Sequence, residues 1–125
     1  MIDHAEQAVL GAVMNANDVF HEVAPLLNVE CFTTPENRKL WQAIRDRILA
    51  AEPADAVTIG DQHPELFDLA IDYARVGVAS NAKAYADRVR ERYRRREATR
   101  IGTEMIANLR EQDDGAVDSA IASLL

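Results

Sequence analysis

An all-α fold, a small helical globular head followed by a protruding antiparallel helical hairpin, is what this 125-residue sequence predicts. Three observations carry the prediction. Stretch after stretch places apolar residues three and four positions apart, the spacing that gathers them on one helix face, and nothing reads convincingly as a sheet. From Ser80 to Leu109 the chain holds no proline and a single glycine, Gly102, behind a Ser-Asn start suited to capping. Asp113-Asp114-Gly115 is then turn chemistry of the kind that reverses an αα-hairpin, and Val117, Ala120, Ile121 and Leu124 repeat at helical spacing beyond it. The head is placed at about 1–93 and the hairpin at about 94–125 of one domain, 1–125.

In chain order, Asp3-His4-Ala5-Glu6 has the form of a capping box with Asp at the cap. Ala5, Val9, Ala12 and Val13, widened by Leu10, make the first amphipathic helix, ending near Met14 where Asn15-Ala16-Asn17-Asp18 reads as a turn. Val19, Val23, Leu26 and Leu27 form a second stripe, interrupted by Pro25, which removes a backbone donor and should kink or shorten the helix. Asn28 to Thr34 reads as an irregular turn carrying Phe32 inward. Thr34-Pro35 is a strong start signal, a hydroxyl cap followed by proline at the first helical position. The helix it opens carries Leu40, Trp41, Ile44 and Ile48 on one side, the centre of the head's core, and stops before Glu52-Pro53.

Asp55-Ala56-Val57-Thr58 is expected to be extended or turn-like, with Thr58 able to cap a brief turn. Pro64 opens another helix with Leu66, Phe67, Ala70, Ile71 and Ala74 inward, and Val76-Gly77-Val78-Ala79 links it to the long helix. The long helix has two greasy sides. Tyr85, Ala86, Val89 and Tyr93 fall on one, whereas Ala98, Ile101, Met105 and Leu109 fall roughly opposite, with the break at Arg94-Arg95-Arg96-Glu97. Each stripe needs its own cover from water, so the first half is expected to close the head. The second half is expected to pair with the segment after Gly115 and to offer surface to another molecule. Ile101, Met105, Leu109, Val117, Ile121 and Leu124 are therefore the expected oligomer interface, serving a homodimer or higher homo-oligomer.

Composition bounds the function. A chain of this length with 48% apolar residues is one domain's worth, able to bury about two-thirds of its unfolded surface. The net charge of −7 argues against a protein whose main task is gripping phosphate backbones, so direct nucleic-acid binding is expected to be weak or absent. Basic residues nevertheless crowd one stretch, Lys83 to Arg100. Arg92, Arg94, Arg95, Arg96 and Arg100 in it are either a solvated helix face offset by Asp87, Glu91 and Glu97 or a patch for a partner or nucleic acid. A lone cysteine, Cys31, cannot make an internal disulfide, and Asp3 and Glu6 sit where a signal peptide would be basic and then apolar. No apolar run is long enough to span a bilayer. A cytoplasmic protein without a membrane is the expectation.

The sequence offers little chemistry. It contains no GxxxxGK[ST] phosphate loop. His4, His21, His63 and Cys31 lack ligand spacing, so no metal, cofactor or catalytic residue is assigned. Cys31 beside Phe32 suits a small core filler, Trp41 and Tyr85 lie on apolar stripes as core anchors, and Asp113-Asp114 is accounted for by its turn.

Four segments in order resemble one family. Ala5-Glu6-Gln7-Ala8-Val9-Leu10-Gly11-Ala12 resembles the AEQxVLGA opening of the N-terminal domain of DnaB-type replicative helicases. Glu30 to Arg38, ECFTTPENR, is similar to that family's EDFYxPx(H/N)R segment, and Glu52 to Thr58, EPADAVT, to its PxDxVT segment. Asn81 to Arg92, with Tyr85-Ala86 and Val89-Arg90-Glu91, resembles its NxxxYAxxVRE signature. Departures lie at Thr33, where the family has Tyr, at Pro25, and between Ile59 and Leu66, where GDQHPE replaces a longer segment.

The resemblance implies a helical head with a protruding hairpin and a non-catalytic collar role in DNA replication. In that role hairpins pair between subunits into a ring that docks primase and helps organise the helicase loader. The motor of a full helicase is not in this sequence, so the chain by itself is expected not to be an enzyme, although its parent would be an ATP-dependent DNA helicase. A second reading is a stand-alone phage or host regulator of the same fold that binds a helicase or primase. A third is the helicase-binding domain of a primase, against which AEQAVLGA and EPADAVT speak.

Overall fold

The computed structural model describes residues 3–112 and Leu124. Every regular element among them is helical: α1 (His4–Asn15), α2 (Phe20–Val23), α3 (Pro35–Leu49), α4 (Ala56–Gln62), α5 (Phe67–Val76) and α6 (Ala82–Gln112), joined in part by single 3₁₀ turns. The chain divides into two compact units, Met1–Tyr93 and Arg94–Leu125. The expected turn at Asp113-Asp114-Gly115 and the stripe from Val117 to Ile121 lie outside the described residues.

The first unit is built by capping and by glycine. Asp3 accepts from the amides of Ala5 and Glu6 at 3.0 and 3.2 Å, satisfying two of the donors a helix start leaves open. Thr34 Oγ1 does the same for Asn37 at 3.1 Å, with Pro35 in the first turn of α3. α1 packs most extensively on α5, and two glycines allow their backbones to meet. A Cβ on Gly11 would stand 1.9 Å from the Tyr73 carbonyl oxygen, and one on Gly77 would stand 2.1 Å from the Ala12 nitrogen. Neither position therefore accepts a side chain without the helices moving apart.

The core gathers Val9, Leu10 and Val13 of α1, Phe20 and Val23 of α2, Leu40, Trp41 and Ile44 of α3, Ile59 of α4, Leu66 before α5, and Ala82, Ala86 and Val89 of α6. Trp41 lies between Phe20 and Phe32, with ring centroids 5.5 and 5.4 Å away, within the range of favourable tilted aromatic pairs. Pro25 does break the second stripe: residues 17–26 form a 3₁₀ turn, one helical turn and a second 3₁₀ turn.

Three expectations need correction. Glu6 does not fold back to complete a capping box with Asp3; it turns inward and is fully buried. Asp55 to Thr58 is not extended but starts α4. Asp55 accepts from the Thr58 amide at 2.8 Å, and Thr58 Oγ1 accepts from the Asp55 amide at 3.0 Å, a reciprocal cap with Thr where Glu or Gln is usual. Phe67 does not point inward. α5 starts one residue after a 3₁₀ turn, and the phase that buries Leu66, Ala70 and Tyr73 leaves Phe67 about 100° away.

At the end of α3, Ala51 has φ 58°, the left-handed region where glycine is the usual residue after a helix. Ala51→Gly is expected to raise stability by about 0.5–1 kcal/mol. The check is a higher urea midpoint at unchanged m-value, and an unchanged or lower midpoint would count against the strain.

Candidate partner-docking surface

A buried polar relay first fixes the head. Glu6 accepts from the Thr33 amide and hydroxyl, each at 2.8 Å, and from Asn37 Nδ2 at 3.2 Å. The Tyr73 hydroxyl then donates to Asn37 Oδ1 at 2.6 Å. Helices α1, α3 and α5 and the loop before α3 are thus tied at one buried carboxylate. Burial pushes the Tyr73 hydroxyl above its ordinary pKa, with the Asn37 hydrogen bond opposing.

Two asparagines read as a turn from sequence act as staples to distant segments. Asn15 Nδ2 donates to the carbonyls of Ala74 and Gly77, both at 2.8 Å, covering the end of α5. Asn17 donates to the Ala54 carbonyl at 2.9 Å and accepts from its amide at 3.0 Å. Sequence alone carries no signal for such pairings, because each joins segments remote in the chain.

The first stretch of α6, residues 82–93, closes this body with Ala82, Ala86 and Val89 buried and Tyr85 and Tyr93 half-buried against the core. Arg92 reaches Asp3 at 2.5 Å, so one member of the expected basic patch is an ion pair within the head. That pair is partly exposed and contributes little to stability.

In the second unit α6 presents a helix face with much of its apolar surface uncovered. Ile101 and Met105 are 53% and 47% exposed, one turn apart, and Leu109 continues the row half-buried. Met105 and Leu109 with Glu104 and Asn108 line one shallow groove, and Thr103, Ile106, Ala107 and Arg110 line another. Leu124 is exposed, whereas Val117 and Ile121 lie outside the described residues.

Of the remaining basic residues, Arg100 is bracketed by Glu97 at 2.7 Å and Glu104 at 2.9 Å. The guanidinium holds the Glu97 carboxyl below its usual pKa, and the two carboxylates hold Arg100 more firmly protonated. Arg94, Arg95 and Arg96 are exposed. The five expected patch residues therefore do not act as one set of cations. Arg92 and Arg100 are committed to carboxylates of the chain itself.

Among the described residues no group of three or more His, Cys, Asp or Glu side chains is placed to hold a metal. Cys31 is buried, and no described helix is long and apolar enough to cross a membrane.

A capped, glycine-packed helical head, and an apolar row on the later part of α6, have known relatives. This chain belongs to the DnaB-like helicase N-terminal domain family, whose model matches residues 2–91. The replicative DNA helicase DnaB of Mycobacterium leprae (strain TN) is 31% identical over 114 residues, covering 82% of this chain and 18% of that protein. The chain thus spans less than a fifth of the curated relative's length. The crystal structure of the N-terminal domain of DnaB helicase from Mycobacterium tuberculosis superposes with a TM-score of 0.78 at 28% identity, covering 97% of this chain and 94% of that one. A second solved structure is that of a DnaB-like replicative helicase and its interactions with primase. It shares the fold with a TM-score of 0.74 at 21% identity, covering 97% of this chain and 30% of that one.

The motif residues now have physical roles. Within AEQAVLGA, Val9 and Ala12 are core, Glu6 is the buried acceptor and Gly11 is the contact point for α5. In TTPENR, Thr34 caps α3, Asn37 joins the relay and Arg38 Nε donates to the Phe32 carbonyl at 2.8 Å.

Proposed function

We propose that this chain is the non-catalytic N-terminal domain of a replicative DNA helicase, in which it assembles subunits and docks partner proteins during replication. The observation that supports the assembly role is the apolar row in which Ile101 and Met105 are about half exposed and Leu109 continues half-buried. Water contact with such a row is unfavourable by about 25 cal/mol per Å² of apolar surface, and covering it with a neighbour's equivalent row supplies a driving force for pairing. The sequence expectation that Val117, Ile121 and Leu124 share this interface belongs to the same reading, Val117 and Ile121 lying outside the described residues. The paired units then form a platform for primase and the helicase loader. The relative solved for its interactions with primase supports that choice of partner by likeness of fold. The head at about 1–93 positions the platform, and ATP hydrolysis belongs to a motor outside this domain.

The test separates assembly from folding. Ile101→Glu with Met105→Glu is expected to convert the self-associated chain to monomers at 0.5 M salt in sedimentation velocity. The fluorescence of Trp41, the single tryptophan, stays as in the parent because it reports the head core. An unchanged sedimentation coefficient would remove the interface assignment. Loss of primase capture by the monomeric variant, with capture intact in the parent, is the expected result for the docking role.

A further inference from the structure

The head carries an open apolar feature of its own, separate from the row on α6. Val57 in the first turn of α4 is 59% exposed and Phe67 at the start of α5 is 41% exposed. The Phe67 ring lies over Gly60, where a Cβ would stand 2.3 Å from its Cδ1. Gly60 is three residues beyond Val57, so the ring and the Val57 side chain share one side of α4. Asp61, one turn on from Val57, and Asp68, next to Phe67, are both exposed, and neither has an ion-pair partner among the described residues. Thr58, Asp61 and Gln62 continue into a shallow groove whose cation, Arg47, is already held by the Pro53 carbonyl, Gln62 and Glu52. Residues 52–74 contain no Lys or Arg, so the seam is apolar with an acidic border.

The complement of such a seam is a cationic, partly apolar segment, and this chain's own cations are largely committed elsewhere. Lys83 pairs with Asp87, Arg92 with Asp3 and Arg100 with Glu97 and Glu104, and Arg95 and Arg96 are not free either. We propose that the α4–α5 seam docks an amphipathic helix of a different protein, one that sets an apolar side chain against Phe67 and Val57 and arginines against Asp61 and Asp68. Arginine is suited to both halves of the seam. Its guanidinium pairs with carboxylates and lies over aromatic faces, and its methylene stem covers apolar surface. The seven residues of α4 span about 10 Å, which matches about two turns of a partner helix. No residue of α6 contributes to the seam, so it can fail while the Ile101 and Met105 row stands, and the reverse.

The probe is a synthetic amphipathic helix with leucines on one face and arginines along its border, added to the full chain in about 0.05 M salt. Binding is expected, with the largest amide shifts in NMR spectra at Val57, Gly60, Asp61, Phe67 and Asp68. It is expected to weaken at least about tenfold in about 0.5 M salt, because exposed charges are screened over a shorter distance. A peptide with serine in place of leucine is expected to bind at least about tenfold more weakly, since the apolar contact is then missing. Phe67→Ala, which leaves the charges in place, is expected to weaken the leucine peptide about tenfold and the serine peptide not at all. Asp61→Lys with Asp68→Lys is expected to lose the arginine peptide and to bind its counterpart with glutamate in place of arginine, with Trp41 fluorescence unchanged. Shifts centred on α6, equal binding of the leucine and serine peptides, or arginine-peptide binding that survives Asp61→Lys with Asp68→Lys would each overturn the site. So would a change in oligomeric size on making those two substitutions, because a second copy would then be what covers the seam.

Discussion

Trp41→Ala is expected to destabilise the head by about 3–5 kcal/mol, the range for emptying a large aromatic site in a packed interior. The indole is 1% exposed and is held between Phe20 of α2 and Phe32 of the loop before α3. Those neighbours belong to segments with little regular structure of their own: a single helical turn flanked by 3₁₀ turns, and an irregular loop. They cannot slide into the vacated volume without giving up their own buried places in the core. Typical domains are stable by about 5–15 kcal/mol, so the loss is a large part of the whole. Urea unfolding followed by circular dichroism measures it, and a loss below about 1 kcal/mol would displace Trp41 from the centre of the core.

Glu6→Ala is expected to cost a similar amount, about 3–5 kcal/mol, by a different mechanism. Removing the carboxylate leaves the Thr33 amide, the Thr33 hydroxyl and Asn37 Nδ2 facing a dry space without an acceptor. Asn37 is itself buried and also accepts from Tyr73, so the defect reaches α5. Glu6→Gln keeps the side-chain volume and removes the carboxylate's charge. Its amide oxygen can accept from the Thr33 amide and Asn37 while its amide nitrogen donates to the Thr33 hydroxyl oxygen, at the loss of charge assistance. A cost of about 1–2 kcal/mol is expected for Gln. Equal unfolding midpoints for Gln and Ala would show that neither side-chain volume nor the neutral hydrogen bonds of the amide recover any stability, and would count against this account.

These two positions differ in how readable they were. Trp41 stands on an apolar stripe of helical period behind a Thr-Pro start, and both signals are local, so its place in the core follows from the sequence. Glu6 sits three residues after Asp3 in a pattern that ordinarily marks a reciprocal cap, and locally nothing contradicts that assignment. Its true partners lie 27 and 31 residues away. The same holds for Asn15 and Asn17, whose residue types suit turns and whose amides in fact bind carbonyls of α5 and of the segment before α4. Phe67 was misassigned by a phase error. A 3₁₀ turn between Pro64 and Leu66 shifts the start of α5, and propensity does not mark where such a turn ends.

For the candidate surfaces the division is similar. The open row of Ile101, Met105 and Leu109 was legible as a change of stripe along one uninterrupted helix, since periodicity is a property of neighbours in the chain. The ion pairs that occupy Arg92 and Arg100 were only half legible. Glu97 and Glu104 lie within one turn of Arg100, whereas Asp3 is 89 residues from Arg92. Sequence alone therefore determined helices α1, α3, α5 and α6 but not α4, the caps at Asp3 and Thr34, the inward stripes of α1, α3 and the first part of α6, and the family motifs, all of which rest on interactions within a few residues. Tertiary structure alone decided the buried relay through Glu6, the asparagine staples, the glycine contacts of α1 with α5 and the exposure of Phe67. Each of those depends on which distant segments come to lie side by side, and hydrophobic burial, being non-directional, leaves that choice to the packing of the whole.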